Sequence, residues 1–356
     1  MNMMWAVFKR VRLVCRSMLL GGLLFCSCNQ DPIFYGISLE VEPVDPRIVG
    51  MPTHIAAVGS SLYVASKFGP AIHCYEGASG WKELPKRPGG PILELAAAGT
   101  TLYALTGEPG STRVSAWDDA SGEWREIPSD YGNIQSIYGA GQRLFAGAMI
   151  NTDTFAMLYD SGGSLERLSG GRGFLQGAVF DGSDYYLAGT GLYTFVEGSV
   201  PSLNLVEGSE GLPIAGLITL TDKTIAGVSG QSLFSFTAAG NFTQHDMGVS
   251  FTGALALWGK EAEDKTLLLL GIQGSSTSTT HGYRELLLNK GSLGDMSLKI
   301  PGNHTESSIS NFDKYNSSLG KHPVLVLSQA PDGVLFAGTT KNGLWSYRNE
   351  QWNAES

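Results

Sequence analysis

Charged residues are sparse in this chain, and the basic ones do not cluster. Asp, Glu, Lys and Arg together make up 16% of 356 residues, and the formal net charge is −9. The densest basic stretch beyond the N-terminal region is 82–87, which Glu83 and Pro85 interrupt. Because nucleic-acid binding needs clustered Lys and Arg to contact phosphates, the composition argues against a nucleic-acid partner.

The common nucleophile, phosphate and metal motifs are also missing. No Gly-x-Ser-x-Gly elbow occurs. The glycine-rich stretch 170–173 has no helical pattern behind it that would complete a phosphate site. The stretch 181–184 (DGSD) lacks the ligand spacing of a calcium loop. The sequence therefore predicts no catalytic residue, no cofactor and no metal site.

The N-terminus has a short apolar run where a membrane span would need a long one. Residues 1–16 include Lys9, Arg10, Arg12 and Arg16 and no acidic residue, and the apolar run 18–25 follows. A bilayer-spanning helix needs about 20 apolar residues. A basic start followed by a shorter run is typical of a secretory signal. Without residues 1–27 the chain keeps 20 basic and 33 acidic residues, a formal charge near −13.

The end of this run, Phe25-Cys26-Ser27-Cys28, resembles the lipobox of bacterial lipoproteins, in the relaxed form of spirochaete lipoproteins. The resemblance implies that residues 1–27 are a lipoprotein signal peptide and that the Cys28 sulfur carries a diacylglyceryl group. Two or more acyl chains, such as palmitate, anchor a protein stably to a membrane. The protein would then be a membrane-anchored lipoprotein of the bacterial cell envelope, at the periplasmic face or the cell surface. Cys26 is the alternative acceptor, and an ordinary cleaved signal or an uncleaved anchor is the alternative for the segment.

Cysteine is scarce. The chain has four, Cys15, Cys26, Cys28 and Cys74, and after such processing only Cys74 keeps a free thiol. A disulfide within the monomer is then excluded, and no cysteine pair remains for a zinc site. Cys74 lies in an apolar stretch, so we expect it to be a small buried hydrophobe.

Glycine, by contrast, is abundant at 47 residues, and a short phrase recurs along the chain. The phrase runs from a small apolar stretch through a turn to a Leu-Tyr or Leu-Phe pair, then to an apolar-aromatic stretch and a Trp or Leu. The clearest copies span 57–84 and 97–127. A repeat of this length with four short strands is typical of a β-propeller. No stretch after residue 30 shows helical periodicity, so we predict an all-β fold.

Seven copies of the repeat can be aligned. The residues that begin the recurring pair are Leu62, Leu102, Leu144, Tyr186, Thr224, about Leu268, and Leu335. All the intervals except the last fit four-stranded blades of about 40–50 residues. We therefore predict a seven-bladed β-propeller over 51–356, with six or eight blades left open because the sixth copy is divergent. Residues 28–50 form a tether, in which 37–42 is either a ring-closing strand or part of a surface linker.

The composition of the predicted strands fits this assignment. Small residues such as those at 56–57 and 96–98 fall where innermost strands crowd the axis, and Trp81, Trp124 and Trp352 fall in outer strands. We expect Trp124→Ala to lower stability by about 3–5 kcal/mol. Residues 99–128, with a Leu-Tyr pair, a Trp-Asp pair, Gly122 and Trp124, resemble a kelch repeat, and 59–85 resembles it less fully.

Acidic groups occur at Asp118/Asp119, Asp181/Asp184 and Glu261/Glu263/Asp264. All fall in predicted hairpin turns, where Asp commonly bonds its own backbone, so we interpret them as turn residues. We interpret His245-Asp246, at the end of an outer strand, as a surface pair.

The last interval contains a polar run, 303–318, which is typical of a surface loop. This is the candidate binding loop; its candidate contact residues are Asn303, His304, Glu306, Asn311, Phe312, Asp313 and Tyr315.

Taken together, the sequence predicts a membrane-tethered propeller that acts as a binding scaffold, and not an enzyme. Its partners would be the membrane, through acylated Cys28, and an envelope protein or small ligand. The alternative is an envelope glycan-acting hydrolase or lyase with carboxylates at the central channel. Acids with perturbed pKa values at the axis would favour the alternative, and a channel lined only by small and aliphatic residues would oppose it.

Overall fold

The computed structural model describes residues 48–237, 239–260, 265–273, 282–288, 293, 323–340, 343–349 and 351–355. They form seven antiparallel sheets, each a meander of strands consecutive in the chain. The chain divides into two units, Met1–Val44 and Asp45–Ser356, and every described residue belongs to the second. In the described part, the helical content is the single 3-10 turn Gly77–Ser79. That part also contains no helix with the length and hydropathy needed to cross a membrane.

Each sheet is one blade, numbered in chain order. Blade by blade, the strands are β1 Pro52–Val58, β2 Ser61–Ser66, β3 His73–Tyr75 and β4 Trp81–Glu83; β5 Ile92–Ala98, β6 Thr101–Glu108, β7 Ser111–Asp118 and β8 Glu123–Ile127; β9 Ile134–Ala140, β10 Arg143–Asn151, β11 Thr154–Asp160 and β12 Leu165–Arg167; β13 Gly177–Phe180, β14 Tyr185–Gly189, β15 Gly191–Val196 and β16 Ser202–Leu205; β17 Gly216–Thr219, β18 Ile225–Ser229, β19 Ser232–Phe236 and β20 Phe242–Asp246; β21 Phe251–Lys260, β22 Lys265–Ile272 and β23 Tyr283–Leu288; β24 Val324–Gln329, β25 Leu335–Thr339, β26 Leu344–Arg348 and β27 Gln351–Ala354.

The seven blades close into a ring. The first strand of each blade contacts the first strand of the next blade, and β24 of blade 7 contacts β1 of blade 1. These first strands are therefore the innermost strands around the central channel, and the fold is a seven-bladed β-propeller. The predicted blade number is confirmed. The aligned pair residues of the repeat fall in the second strand of their blades, apart from Thr224, which directly precedes β18.

Hydrophobic packing holds neighbouring blades together. The described residues form seven buried clusters, and each cluster joins two adjacent blades. Each blade thus buries both of its faces, as the repeat architecture requires. Cys74 is buried between blades 1 and 2, as predicted. Trp352 is 8% exposed between blades 6 and 7, whereas Trp124 is only half-buried.

Small residues in the innermost strands permit close approach around the axis. A Cβ added at Gly139 of β9 would lie 1.7 Å from the Ala97 carbonyl oxygen of β5. A Cβ at Gly216 would lie 2.1 Å from the Gly253 carbonyl oxygen. Both distances are far below van der Waals contact, so these positions require glycine for adjacent blades to pack.

The ring closes between blade 7 and blade 1. Ile48 is 2% exposed and packs in the cluster that joins these blades, and its carbonyl oxygen accepts a hydrogen bond from the Leu344 N–H at 3.1 Å. The Glu355 carboxylate accepts a hydrogen bond from the Trp81 indole and lies 3.3 Å from the Arg348 guanidinium. All the strands described in blade 7 come from the C-terminal segment. Residues 37–42, predicted as a closing strand or linker, lie outside the described residues.

Candidate functional site at the proximal end of the channel

The innermost strands of the first three blades share an irregularity near their starts. The register shifts between Pro52 and His54 in β1 and between Ile92 and Glu94 in β5, and the pairing of β9 shifts between Ile134 and Ser136. Such bulges change the direction of the side chains beside them. His54 and Glu94 therefore occupy equivalent positions in neighbouring blades. We call the end of the ring at which these strands begin the proximal end.

Three polar side chains from three blades meet here. The His54 Nε2 atom lies 3.9 Å from Glu94 Oε1. The rings of His54 and Tyr138 are 6.3 Å apart in an edge-to-face arrangement. The His54 and Glu94 side chains are 25% and 15% exposed, so both are enclosed by protein and still reachable. We call His54, Glu94 and Tyr138 the axial cluster.

Secondary contacts fix the orientation of two of these groups. The His54 Nδ1 atom is 3.0 Å from the Thr53 hydroxyl, which leaves Nε2 on the side of Glu94. The Glu94 Oε2 atom accepts a hydrogen bond from the Ile137 N–H at 2.8 Å. The carboxyl group therefore links blade 2 to the innermost strand of blade 3, and its other oxygen stays next to the imidazole.

Burial changes the charge state of the cluster. It lowers the pKa of His54 to about 4, and the positive charge of Lys67 contributes to the same shift. Burial raises the pKa of Glu94 to about 8, although the Ile137 N–H and Lys67 oppose this rise. Burial, and secondarily the nearby Glu94, also raises the pKa of Tyr138. Since a charged form is disfavoured in a poorly solvated site, all three groups are mostly neutral near pH 7.

The rim of the proximal end carries a cation and an exposed aromatic ring. Lys67 and Phe68 follow β2, and their N–H groups donate to the carbonyl oxygens of Met51 and Ile92 at 2.9 and 2.7 Å. Phe68 has a φ of 62°, which is uncommon for a bulky residue, and is 57% exposed. The Lys67 ammonium lies 5.7 Å from the centre of the Phe68 ring. Strained backbone of this kind concentrates at binding sites.

A groove lies at the edge of blade 3, away from the axial cluster. It has a volume of about 310 Å³ and is lined by Phe155, Met157, Arg167, Leu168 and the glycines at 170 and 171. The glycine-rich turn 170–173 thus forms one wall of a groove that is lined by both polar and apolar groups. In the described part of the chain, no group of three or more His, Cys, Asp or Glu side chains is placed to hold a metal ion.

The acidic groups singled out in the sequence have the turn roles predicted for them, as far as they are described. Asp118 accepts hydrogen bonds from the Ala120 N–H and the Ser121 hydroxyl, and these bonds lower its pKa. Asp181 accepts the N–H groups of Ser183 and Asp184, each at 2.7 Å. Neither turn joins the axial cluster.

Other predicted site residues fall outside the described ranges. Cys28, residues 1–27 and the candidate binding loop 303–318 are among them, as are Glu261, Glu263 and Asp264. The site that the structure presents was missed in the sequence. Its signal was a single titratable residue within each of two largely apolar innermost strands, His54 in PTHIAAV and Glu94 in ILELAAA.

Comparison with known proteins adds information on the fold. No protein-family profile and no curated sequence matches this chain. A streptogramin B lyase is similar in structure, with a TM-score of 0.56 and 11% identity over 86% of this chain and 96% of that one. Virginiamycin B lyase from Staphylococcus aureus gives a TM-score of 0.55 at 10% identity, over 85% of this chain and 97% of that one.

A third similar structure is the extracellular domain of a putative hybrid two-component system from B. thetaiotaomicron. Its TM-score is 0.53 at 13% identity, over 85% of this chain and 38% of that one. At these identities the likeness concerns the fold alone. Because propellers carry many unrelated functions, a function has to be argued from this chain's own residues.

Proposed function

We propose that this protein is a binding propeller, tethered to a bacterial membrane through acylated Cys28, that takes a small ligand at the proximal end of its channel. The observation that carries the proposal is the axial cluster. His54, Glu94 and Tyr138 come from three successive blades; β1 and β5 otherwise carry small or aliphatic side chains, and β9 also carries Gln135 and Ser136. Convergent polar groups in an enclosed, largely apolar setting are the usual mark of a ligand site.

Burying such groups without a function is unfavourable. Desolvation is the largest cause of the shifts that bring the pKa of Glu94 to about 8 and that of His54 to about 4, and the 3.9 Å between them is too long for a hydrogen bond. A ligand that bonds to both groups would replace the solvation that they lose. This argument supports binding at the axis.

The ligand test compares the wild-type chain with a variant carrying His54→Ala and Glu94→Ala. Each protein is immobilised and incubated with a small-molecule extract of bacterial envelopes, and the retained compounds are identified by mass spectrometry. We expect the wild type to retain compounds, chemically unchanged, that the variant does not. Glu126→Ala is the matched control, because Glu126 is an exposed acid on β8 that pairs with Arg113 at 3.5 Å. Identical retention by all three proteins would refute the axial site.

The tether and the loop are tested separately. Mass spectrometry of the N-terminal peptide should show an acylated Cys28, and Cys28→Ala should release the protein from membranes. An N-terminus that begins elsewhere without lipid would refute the anchor.

We also propose that the loop 303–318 contacts an envelope protein, so deleting it should abolish crosslinking in intact envelopes while the melting temperature stays unchanged. Unchanged crosslinking would exclude the loop.

A second candidate function has one specific observation in its favour. Near pH 7 Glu94 is mostly protonated and His54 is mostly neutral, so an acid and a base face each other in forms ready to donate and accept a proton. An envelope glycan-acting lyase or hydrolase could use Glu94 as general acid and His54 as general base. Turnover of envelope oligosaccharides that disappears in both His54→Ala and Glu94→Gln would favour this candidate, and recovery of intact ligand would favour the binding propeller.

A further inference from the structure

The charge at the proximal end limits what the site can bind. The titratable and charged groups that the structure describes around Glu94 are His54 on β1, Tyr138 on β9 and Lys67 after β2. Lys67 is an exposed ammonium, whereas the other three groups are mostly neutral near pH 7. The local charge is therefore positive, although the whole chain carries −9. A positive site within an acidic protein favours an anionic ligand over a cationic one.

The hydrogen-bonding groups at the proximal end favour a ligand that accepts hydrogen bonds. One Glu94 oxygen is already used by the Ile137 N–H, so the protonated carboxyl group can donate through its other oxygen. The Tyr138 phenol and the Lys67 ammonium add further donors. A ligand carboxylate has two acceptor oxygens, and bonds from a neutral acid or an ammonium to a carboxylate are short and strong.

The rim adds an apolar requirement. Phe68 is bulky, 57% exposed and held at a φ of 62°, and its N–H bonds to the carbonyl oxygen of Ile92, two residues before Glu94. This bond holds the Phe68 backbone beside β5, the innermost strand that carries the acid, and the ring extends from there at the rim. An exposed phenyl ring so placed can stack on a flat, apolar part of a ligand.

We propose that the proximal end binds a small organic carboxylate with an apolar ring, the carboxylate lying between the Lys67 and Glu94 side chains and the ring lying against Phe68. This inference rests on the proposed ligand site and names its ligand class. Binding is coupled to a proton, because ionised Glu94 would repel the ligand. Affinity should therefore fall as the pH rises through the pKa of Glu94, about 8.

The test measures binding of benzoate and of benzyl alcohol, its uncharged counterpart, to the purified full chain. Calorimetry gives the affinities, and NMR signals of the His54 ring locate the site. We expect benzoate to bind at least about tenfold more tightly, since the pair differs by a charge-assisted contact. Between pH 7 and 9 the benzoate affinity should fall about tenfold, because a protonated group with a pKa near 8 is required.

Variants make the test specific. Glu94→Gln keeps a donor at the same place and cannot ionise, so it should bind benzoate within about threefold of wild type at pH 7 and lose the decline toward pH 9. Lys67→Gln should weaken binding about tenfold. Lys82→Gln should leave benzoate affinity unchanged. Lys82 is also an exposed cation of blade 1, but it lies on the outer strand β4 and pairs with Glu76.

Three results would overturn the inference: no benzoate binding, equal binding of the two probes, or an unchanged pH profile in Glu94→Gln. The proposed function has a separate outcome. If benzyl alcohol alone shifts the His54 signals, the ligand site stands and the carboxylate class fails. If neither probe shifts them and the envelope extract yields no retained compound, both fail.

Discussion

Glu94→Gln tests the charge state of the axial cluster through the stability of the whole ring. The pKa of Glu94 rises from 4.5 to about 8 on folding, so the folded state binds the proton more tightly. The stability associated with this group is fully present below pH 4.5 and is lost as the pH rises to 8. The pKa of His54 falls from 6.5 to about 4, and its effect has the opposite sign, with stability gained as the pH rises through that window.

The two effects nearly cancel between pH 4.5 and 6.5, and only Glu94 acts between 6.5 and 8. At about 1.4 kcal/mol per pH unit, the wild type should lose about 2 kcal/mol of unfolding free energy over this range. Gln keeps an acceptor for the Ile137 N–H and does not ionise, so the variant should not show this loss.

Urea denaturation followed by tryptophan fluorescence measures both proteins from about pH 5 to 9. Groups that titrate in both proteins contribute equally to both unfolding free energies and cancel in the difference between the two. Because His54 titrates in both proteins, that difference should grow in favour of the variant by about 1.4 kcal/mol per pH unit from pH 5 to 8, about 4 kcal/mol in all, and then level off. Glu126→Gln, on the exposed face of β8, should follow the wild type. Parallel curves for wild type and Glu94→Gln would show that Glu94 is ionised throughout, and the account of the cluster would be wrong.

Three further predictions concern packing. Trp352→Ala should lower the unfolding free energy by about 3–5 kcal/mol. Trp124 is half-buried and packs on Trp117 at 5.4 Å, so Trp124→Ala should lower the unfolding free energy by less than the roughly 3–5 kcal/mol expected from the sequence. Equal losses for the two variants by denaturant titration would contradict this order. Ile48→Ala should cost about 2–5 kcal/mol, and an unchanged melting temperature would mean that Ile48 does not contribute to ring closure. The Cys74 thiol, 1% exposed and with a pKa raised chiefly by burial, should react with a thiol reagent only after unfolding, and rapid labelling of the folded protein would refute its burial.

The repeat in the sequence was enough to predict the ring. Its Leu-Tyr-like pair marks the second strand of the blades, because residues of that strand pack into the clusters on both sides of the blade. Small residues marked the innermost strands for a similar reason, since adjacent blades approach too closely there for larger side chains. Even the divergent sixth blade kept a leucine run in β22.

The axial cluster could not be predicted in the same way. His54 and Glu94 are 40 residues apart, and their meeting depends on a bulge in each strand that brings both to the same height. A bulge of this kind leaves no distinct mark in β1 or β5, where Thr53 and Leu93 are ordinary strand residues. The pKa of each group also depends on how tightly neighbouring blades exclude water, which only the assembled ring determines.

The seam between blade 7 and blade 1 has a mechanical consequence. Ile48 sits in this seam near the start of the folded ring, and Glu355 sits in it near the end. A pulling force applied through an anchored N-terminus would therefore act on the interface between blade 7 and blade 1, in which Ile48 and Glu355 both lie. The packing of Ile48 and its hydrogen bond to Leu344 would break first, and blades 7 and 1 would separate while the other six interfaces between blades stay intact.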